Sequence, residues 1–341
     1  MTTEAESGTV PTVLGDIDIA RLGSVLMHEH VFILSPEFAE YPEVTAWAEH
    51  TKVADAVGRL SAAKAAGVDT IVDLTVIGMG RSVSRLAHIS RASGVSIVVA
   101  TGLYTFDELP KLLQYQGPGT KLGGNEFMME MFLKDIRIGI GDTGIRAAVL
   151  KCATDEPGVT PGVERVLRAV AQVNRETDTP ISTHAHAGTE RGIEQLDIFD
   201  SEGVEPSRVV IGHCGDTDNL TYLRTLADRG AYLGMDRFGT EGGHRISPQA
   251  RIDTVAQLCK LGYSSQLVLS HDASCWMDWA PRERLSGTDM DMPTWHYGYV
   301  HTTVLPRLLE RGVTSSQLED MLVRNPRRIL RRSDWAGSAM A

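Results

Sequence analysis

The chain has 341 residues, 42% of them hydrophobic and 23% charged, which is the composition of a soluble globular protein, and no apolar run is long enough to cross a bilayer. Its 33 lysines and arginines against 44 aspartates and glutamates give a formal net charge of −11, which argues against a nucleic acid or an anionic membrane surface as partner. A neutral or weakly polar small molecule fits that balance better. Cys152, Cys214, Cys259 and Cys275 form no CxxC pair, so neither a disulfide framework nor a zinc ribbon is expected. The opening "MTTEAESGTVPTVLGD" has neither the basic nor the apolar region of a signal peptide, and a cytoplasmic location is the expectation.

Short apolar runs recur along the chain: "SVLMHEHVF", "DTIVDLTVI", "SIVVATGLY", "AAVLKCAT", "PISTHAHA", "RVVIGHCG", "AYLGMDRFG" and "QLVLSHDAS". Between them lie helical candidates such as "VADAVGRLSAAKAAG", "RSVSRLAHISRASG", "PGVERVLRAVAQVNRETD" and "TDNLTYLRTLADRG", several stopping at glycine. Length alone would allow two average domains. Eight unbroken strand–helix alternations predict instead one α/β domain over residues 1–341, a TIM (β/α)8 barrel with its core from about 15 to 330. A doubly wound sheet is disfavoured because no glycine-rich dinucleotide turn follows the first strand. Residues before about Leu14 and after about Ser333 read as loose ends. Two segments, Phe106–Gly124 and Ala280–Thr294, exceed ordinary connector length and are expected to shape an active site.

A barrel carries its chemistry at the C-terminal ends of its strands. His28 and His30 stand two apart in the first strand, so they share a face while Glu29 points away. Alone, that pair could be a metal site or a satisfied core histidine beside a chance neighbour. Lys151 in the fourth strand, His184 in the fifth, His213 in the sixth and Asp272 in the eighth extend it, and ionisable groups in apolar strands are expensive unless paired or metal-bound. A lysine among such ligands needs a neutral amine, which can take up carbon dioxide as a carbamate and become an anionic oxygen ligand. Pairing with Asp155 or Glu156 is the alternative. His271, one residue from Asp272, should face the other way, while His186, two residues after His184, repeats the spacing of His28 and His30 and by spacing alone is a further candidate ligand. His50, His88, His244, His296 and His301 read as ordinary surface or core histidines. Phe106, Trp276, Met277, Trp279 and Met292 would give an apolar mouth, with loop packing the alternative for each, and of Trp276 and Met277, which alternate on an extended segment, only one is expected to face it.

The order His-x-His, Lys, His, His, Asp along strands one, four, five, six and eight resembles the phosphotriesterase family of the amidohydrolase superfamily, over roughly Gly15 to Leu330. "TGLYT" with Tyr104, "LKCATDEPG", "GMDRFG" with Arg237 and "SHDASCWMDW" with Trp279 are closer to the phosphotriesterase-like lactonases. The resemblance implies that His28, His30 and Asp272 hold one metal, that His184 and His213 hold a second, and that carboxylated Lys151 bridges both. It further implies that Tyr104 approaches a lactone carbonyl and that Arg237 and Trp279 border the substrate. Phe106, Ser274 and Trp276 join the expected substrate contacts, and because the resemblance assigns only His184 from the fifth strand, it implies that His186 lines the pocket or supports a ligand rather than ligating. Ser274 replaces a frequent cysteine, Phe106 stands where an aromatic hydroxyl is common, and the "RERLSGTDMDM" loop is individual, so acyl preference is left open. The implied reaction is hydrolysis of N-acyl homoserine lactones (quorum quenching), with Asp272 moving the proton and slow phosphotriester hydrolysis on the side. A primary phosphotriesterase, a γ/δ-lactonase not directed at homoserine lactones and a non-catalytic metal-binding barrel are the alternatives. Zinc is the default metal, with cobalt, iron and manganese also compatible with these ligands. The resemblance implies a homodimer.

Overall fold

The computed structural model describes residues 8–240, 246–281 and 292–332. His244, most of the "RERLSGTDMDM" loop and the segment after Ser333 lie outside the described residues.

All eight apolar runs form strands: β1 (Val25–Glu29), β2 (Thr70–Asp73), β3 (Ser96–Gly102), β4 (Val149–Thr154), β5 (Ile181–Ala185), β6 (Val209–Ile211), β7 (Tyr232–Met235) and β8 (Leu267–Leu269). They lie side by side in chain order in one parallel sheet. The sheet closes where the chain after β8 meets β1, Asp272 N donating to His28 O at 3.0 Å and His30 N to Ala273 O at 2.9 Å. The long helices Glu49–Ala65, Val83–Ser93, Phe127–Arg137, Pro161–Thr177, Arg191–Ser201, Leu220–Asp228 and Pro248–Lys260 fill the crossovers. The expected (β/α)8 barrel is therefore present.

Local chemistry sets the helix ends. The Thr160 hydroxyl accepts from Val163 N ahead of Pro161, and Ser247 does the same for Ala250 N ahead of Pro248. Strand alternation sorts the core into two layers. Leu26, Ile71, Ile97, Leu150, Cys152, Ile211, Leu233 and Leu269 pack under the helices. Val25, Met27, Val72, Val98, Val149, Val210, Tyr232 and Val268 fill the barrel interior.

The N-terminal segment corrects one expectation. Thr9–Thr12 pairs antiparallel with Gly15–Asp18, and Val10 is fully buried in the interior cluster with Ile19 and Leu22. The hairpin thus plugs the barrel floor, and Val13 N donates to Ile97 O at 2.9 Å. Four residues with a central proline carry little strand signal; burial of Val10 stabilises them here. Among the described residues, no helix is long and apolar enough to cross a membrane.

Candidate active site

The alternation that sends Val149 into the barrel also sends Lys151 there, two residues nearer the mouth, and it places Asp272 four residues beyond the inward Val268. In β1 the register against β2 shifts between Leu26 and Glu29, so His28 enters the interior directly after the inward Met27. Three site residues follow strand ends in the left-handed region: His213 (φ 59°), Arg237 (φ 62°) and Asp272 (φ 54°). Non-glycine residues there cost roughly 1–3 kcal/mol each and concentrate at functional sites. Gly212 permits one of these bends, since a Cβ on it would lie 2.0 Å from Thr183 O.

His28, His30, Lys151, His184, His213 and Asp272 converge on one cavity of about 180 Å³. Asp272 Oδ1 lies 3.3 Å from His30 Nε2 and 3.6 Å from His28 Nε2. Lys151 Nζ lies 3.1 Å from His28 Nε2, and His213 Nε2 lies 2.9 Å from His184 Nδ1. The opposite ring nitrogens are all held from outside. Asp236 takes His28 Nδ1 with one oxygen and His213 Nδ1 with the other, both at 2.9 Å. Thr75 Oγ1 meets His30 Nδ1 at 2.9 Å, and Asp155 takes His184 Nε2 at 2.5 Å.

This donor set fits metal ions. Four imidazoles with outer nitrogens anchored and inner nitrogens turned into one cavity are preoriented as ligands. The ligand atoms of His28, His30 and Asp272 lie within 4.8 Å of one another. His28, His213 and Asp236 satisfy the same distance, but both Asp236 oxygens are occupied by Nδ1 atoms, so Asp236 orients rings rather than facing the cavity. Burial, reinforced by Lys151, holds His28 down to about 3, and burial with His213 holds His184 well below its ordinary value, so both are neutral ligands near pH 7. Burial pushes the Lys151 amine down to about 8, although Asp272 and Asp236 oppose it. Burial favours neutral carboxyls at Asp236 and Asp272, but His213 and His28 outweigh it and hold both well below the usual carboxylate range.

Tyr104 stands above His184, its hydroxyl 3.4 Å from Nδ1, and burial pushes its phenol far upward, so it is a protonated donor. Arg237 Nε donates to Asp272 Oδ2 at 3.0 Å and Nη1 to Asp216 Oδ2 at 2.5 Å, while Asp216 Oδ1 is held at 2.8 Å by the buried Arg251. Phe106 packs against His184 with ring centroids 4.9 Å apart, and Trp279 stands at the rim, 47% exposed, with its indole N–H on Ser35 Oγ.

Two expected substrate contacts lie elsewhere. Trp276 is buried with the Lys52 ammonium 3.1 Å from its ring centroid, because Trp276–Met277 pairs parallel with Phe32–Ile33 and alternation turns Met277, with Ile33, into the cavity. Ser274 is buried and does not line the cavity. His186 holds Thr189 Oγ1 at 2.8 Å in a local turn, and Asp155, set against Lys151 in one reading, serves His184. His271 faces away from the site as expected. It meets Glu29, where burial favours a neutral carboxyl but every described partner is an N–H donor. Asp236, Asp155 and Thr75 were missed as orienting groups. Asp236 had a signal, as an ionisable residue at the end of "YLGMD".

The sequence profile of the phosphotriesterase family matches residues 8–330. The chain belongs to the phosphotriesterase family. Its members are metal-dependent hydrolases, and the histidine and aspartate groups described above suit that chemistry. It is 55% identical to the phosphotriesterase homology protein of Mycobacterium tuberculosis strain H37Rv, over 94% of this chain and 97% of that protein. It is 33% identical to the aryldialkylphosphatase of Saccharolobus solfataricus, over 94% of this chain and 98% of the relative. The solved structure of the phosphotriesterase from Mycobacterium tuberculosis superposes with a TM-score of 0.90 at 54% identity, covering 95% of this chain and 99% of that one.

Proposed function

We propose that the protein is a metal-dependent lactonase that opens N-acyl homoserine lactones and hydrolyses phosphotriesters slowly. The cavity carries this reading. At about 180 Å³ it falls below the ~300–1,000 Å³ usual for drug-sized ligands, which suits a five-membered ring whose acyl tail leaves past Trp279 better than a phosphorus centre with three substituents.

Two divalent ions, zinc by ligand type, would be held by His28, His30 and Asp272 on one side and by His184 and His213 on the other. Lys151 would join them as a carbamate: its amine bonds carbon dioxide, releases a proton and becomes an anionic oxygen ligand. Among the described residues no carboxylate forms an ion pair with it, which supports that reading. Bound ions supply Lewis acidity and lower the pKa of water.

The chain's own groups do the rest. Tyr104 donates its O–H to the lactone carbonyl oxygen as negative charge develops there. Asp272 takes the proton of the attacking water and returns it to the alkoxide when the ring ester bond breaks, leaving an open hydroxy acid. Arg237 fixes the second Asp272 oxygen and so aims the first. Met277, Ile33 and Trp279 limit water around the ring. The homodimer is part of this proposal, as is a cytoplasmic location, which suits four buried free cysteines.

A second reading, primary phosphotriesterase, is favoured by the name of the aryldialkylphosphatase relative. Zinc-loaded protein assayed with a pH indicator on lactones of varied ring and acyl length, and with an aryl phosphotriester on the same preparation, separates the two. N-acyl homoserine lactones should turn over fastest, and Asp272→Asn should lower that rate by about 10²–10⁴-fold. No opening of any lactone would overturn the lactonase reading. Faster phosphotriester turnover would establish the second.

A further inference from the structure

Behind the ligand cluster, Glu29 and His271 form a pair with no solvent exposure. One Glu29 oxygen, Oε1, accepts from His271 N at 2.9 Å and His271 Nδ1 at 2.7 Å, and Oε2 accepts from Ala273 N at 2.9 Å. The two amides flank Asp272. The far ring nitrogen of His271, Nε2, accepts from Val300 N at 2.9 Å, which fixes Nδ1 as the protonated nitrogen and ties the pair to the start of the helical segment that runs from Val300 to Glu310.

We propose that Glu29 is the positioning residue that seats Asp272 for metal binding and proton transfer. Asp272 has φ 54°, a conformation an aspartate leaves readily when its neighbours are free. Here the tripeptide His271–Ala273 is held to His28–His30 by the three Glu29 contacts and by the backbone bonds Asp272 N to His28 O and His30 N to Ala273 O. The three residues "HEH" therefore supply two ligands from one face of β1 and, from the other, the carboxylate that fixes the third. No ladder pairs β8 with β1, so this clamp sets how far Asp272 reaches toward His28 and His30 at the seam of the barrel.

This inference rests on the metal reading above, and its test separates the two. Wild type, Glu29→Gln and His271→Asn are loaded with zinc, checked by circular dichroism, and followed for zinc loss to an excess of chromogenic chelator and for kcat and KM on a lactone. Both Glu29 oxygens accept N–H groups, so glutamine turns one acceptor into a donor facing a donor. Glu29→Gln should lose zinc about 10–100-fold faster and lower kcat with KM near wild type. His271→Asn keeps both flanking amides and should shift zinc loss in the same direction by less. A role confined to barrel closure would lower the melting temperature alone. Folded Glu29→Gln with wild-type zinc loss would overturn the proposal, as would wild-type zinc loss in His271→Asn should Glu29→Gln not fold. Wild type that binds no zinc would overturn the metal reading itself.

Discussion

The two ends of the barrel interior are built from the same strands by opposite rules. At the floor, Val10, Ile19, Leu22, Val25, Ile329 and Leu330 close the barrel with apolar side chains, and Leu22 has no solvent exposure. At the mouth, a few residues along those strands, the inward positions become His28, Lys151, His184, His213 and Asp272, and three residues take the left-handed conformation. Stability is concentrated at one end, and strain and buried polarity at the other. A tightly filled floor is what lets the mouth hold groups that would otherwise be expelled to water.

That division predicts separable variants. Leu22→Ala should remove about 2–5 kcal/mol of unfolding free energy, measured by urea denaturation, and leave zinc retention and kcat within twofold of wild type. If it changes zinc loss as well, the two ends are coupled. Asp236→Asn should do the reverse. One carboxylate orients both His28 and His213, so its loss releases a ring in each half of the cluster. Zinc should leave about 10–100-fold faster, with a smaller fall in stability than Leu22→Ala gives. Wild-type retention would mean that packing alone holds the two rings.

What could be read from the chain beforehand follows the same division. The strands and the six converging residues were legible because an ionisable group inside an apolar strand needs an explanation within a few residues of sequence. The floor hairpin was not, since Thr9–Thr12 is stabilised by where Val10 lands and not by its own propensity. The orientation of Trp276 and Met277 depended on a two-residue pairing with Phe32–Ile33, more than 240 positions away. Asp155 and Asp236 were visible as residues, but their partners lie on neighbouring strands, so their roles appeared only once β4 met β5 and β6 met β7.

The smallest expected effect lies away from the cluster, beside the start of β1. His301 shares a 2.8 Å hydrogen bond with Ser24, and burial, with His271 adding to it, holds its imidazole down to about 4. The unfolded chain binds that proton near pH 6.5 and the folded chain does not until about pH 4. Between those values the unfolded state carries more protons, so stability is full above pH 6.5 and falls as the pH drops toward 4. At pH 5.5 the penalty is roughly 1 kcal/mol. His301→Gln cannot take up the proton, so its stability relative to wild type should rise by about that amount between pH 7.5 and pH 5.5, read from urea midpoints at the two values. Zinc loss at pH 7.5 should stay at the wild-type rate. An unchanged stability difference across that range would mean that His301 takes up its proton as readily in the folded chain as in the unfolded one.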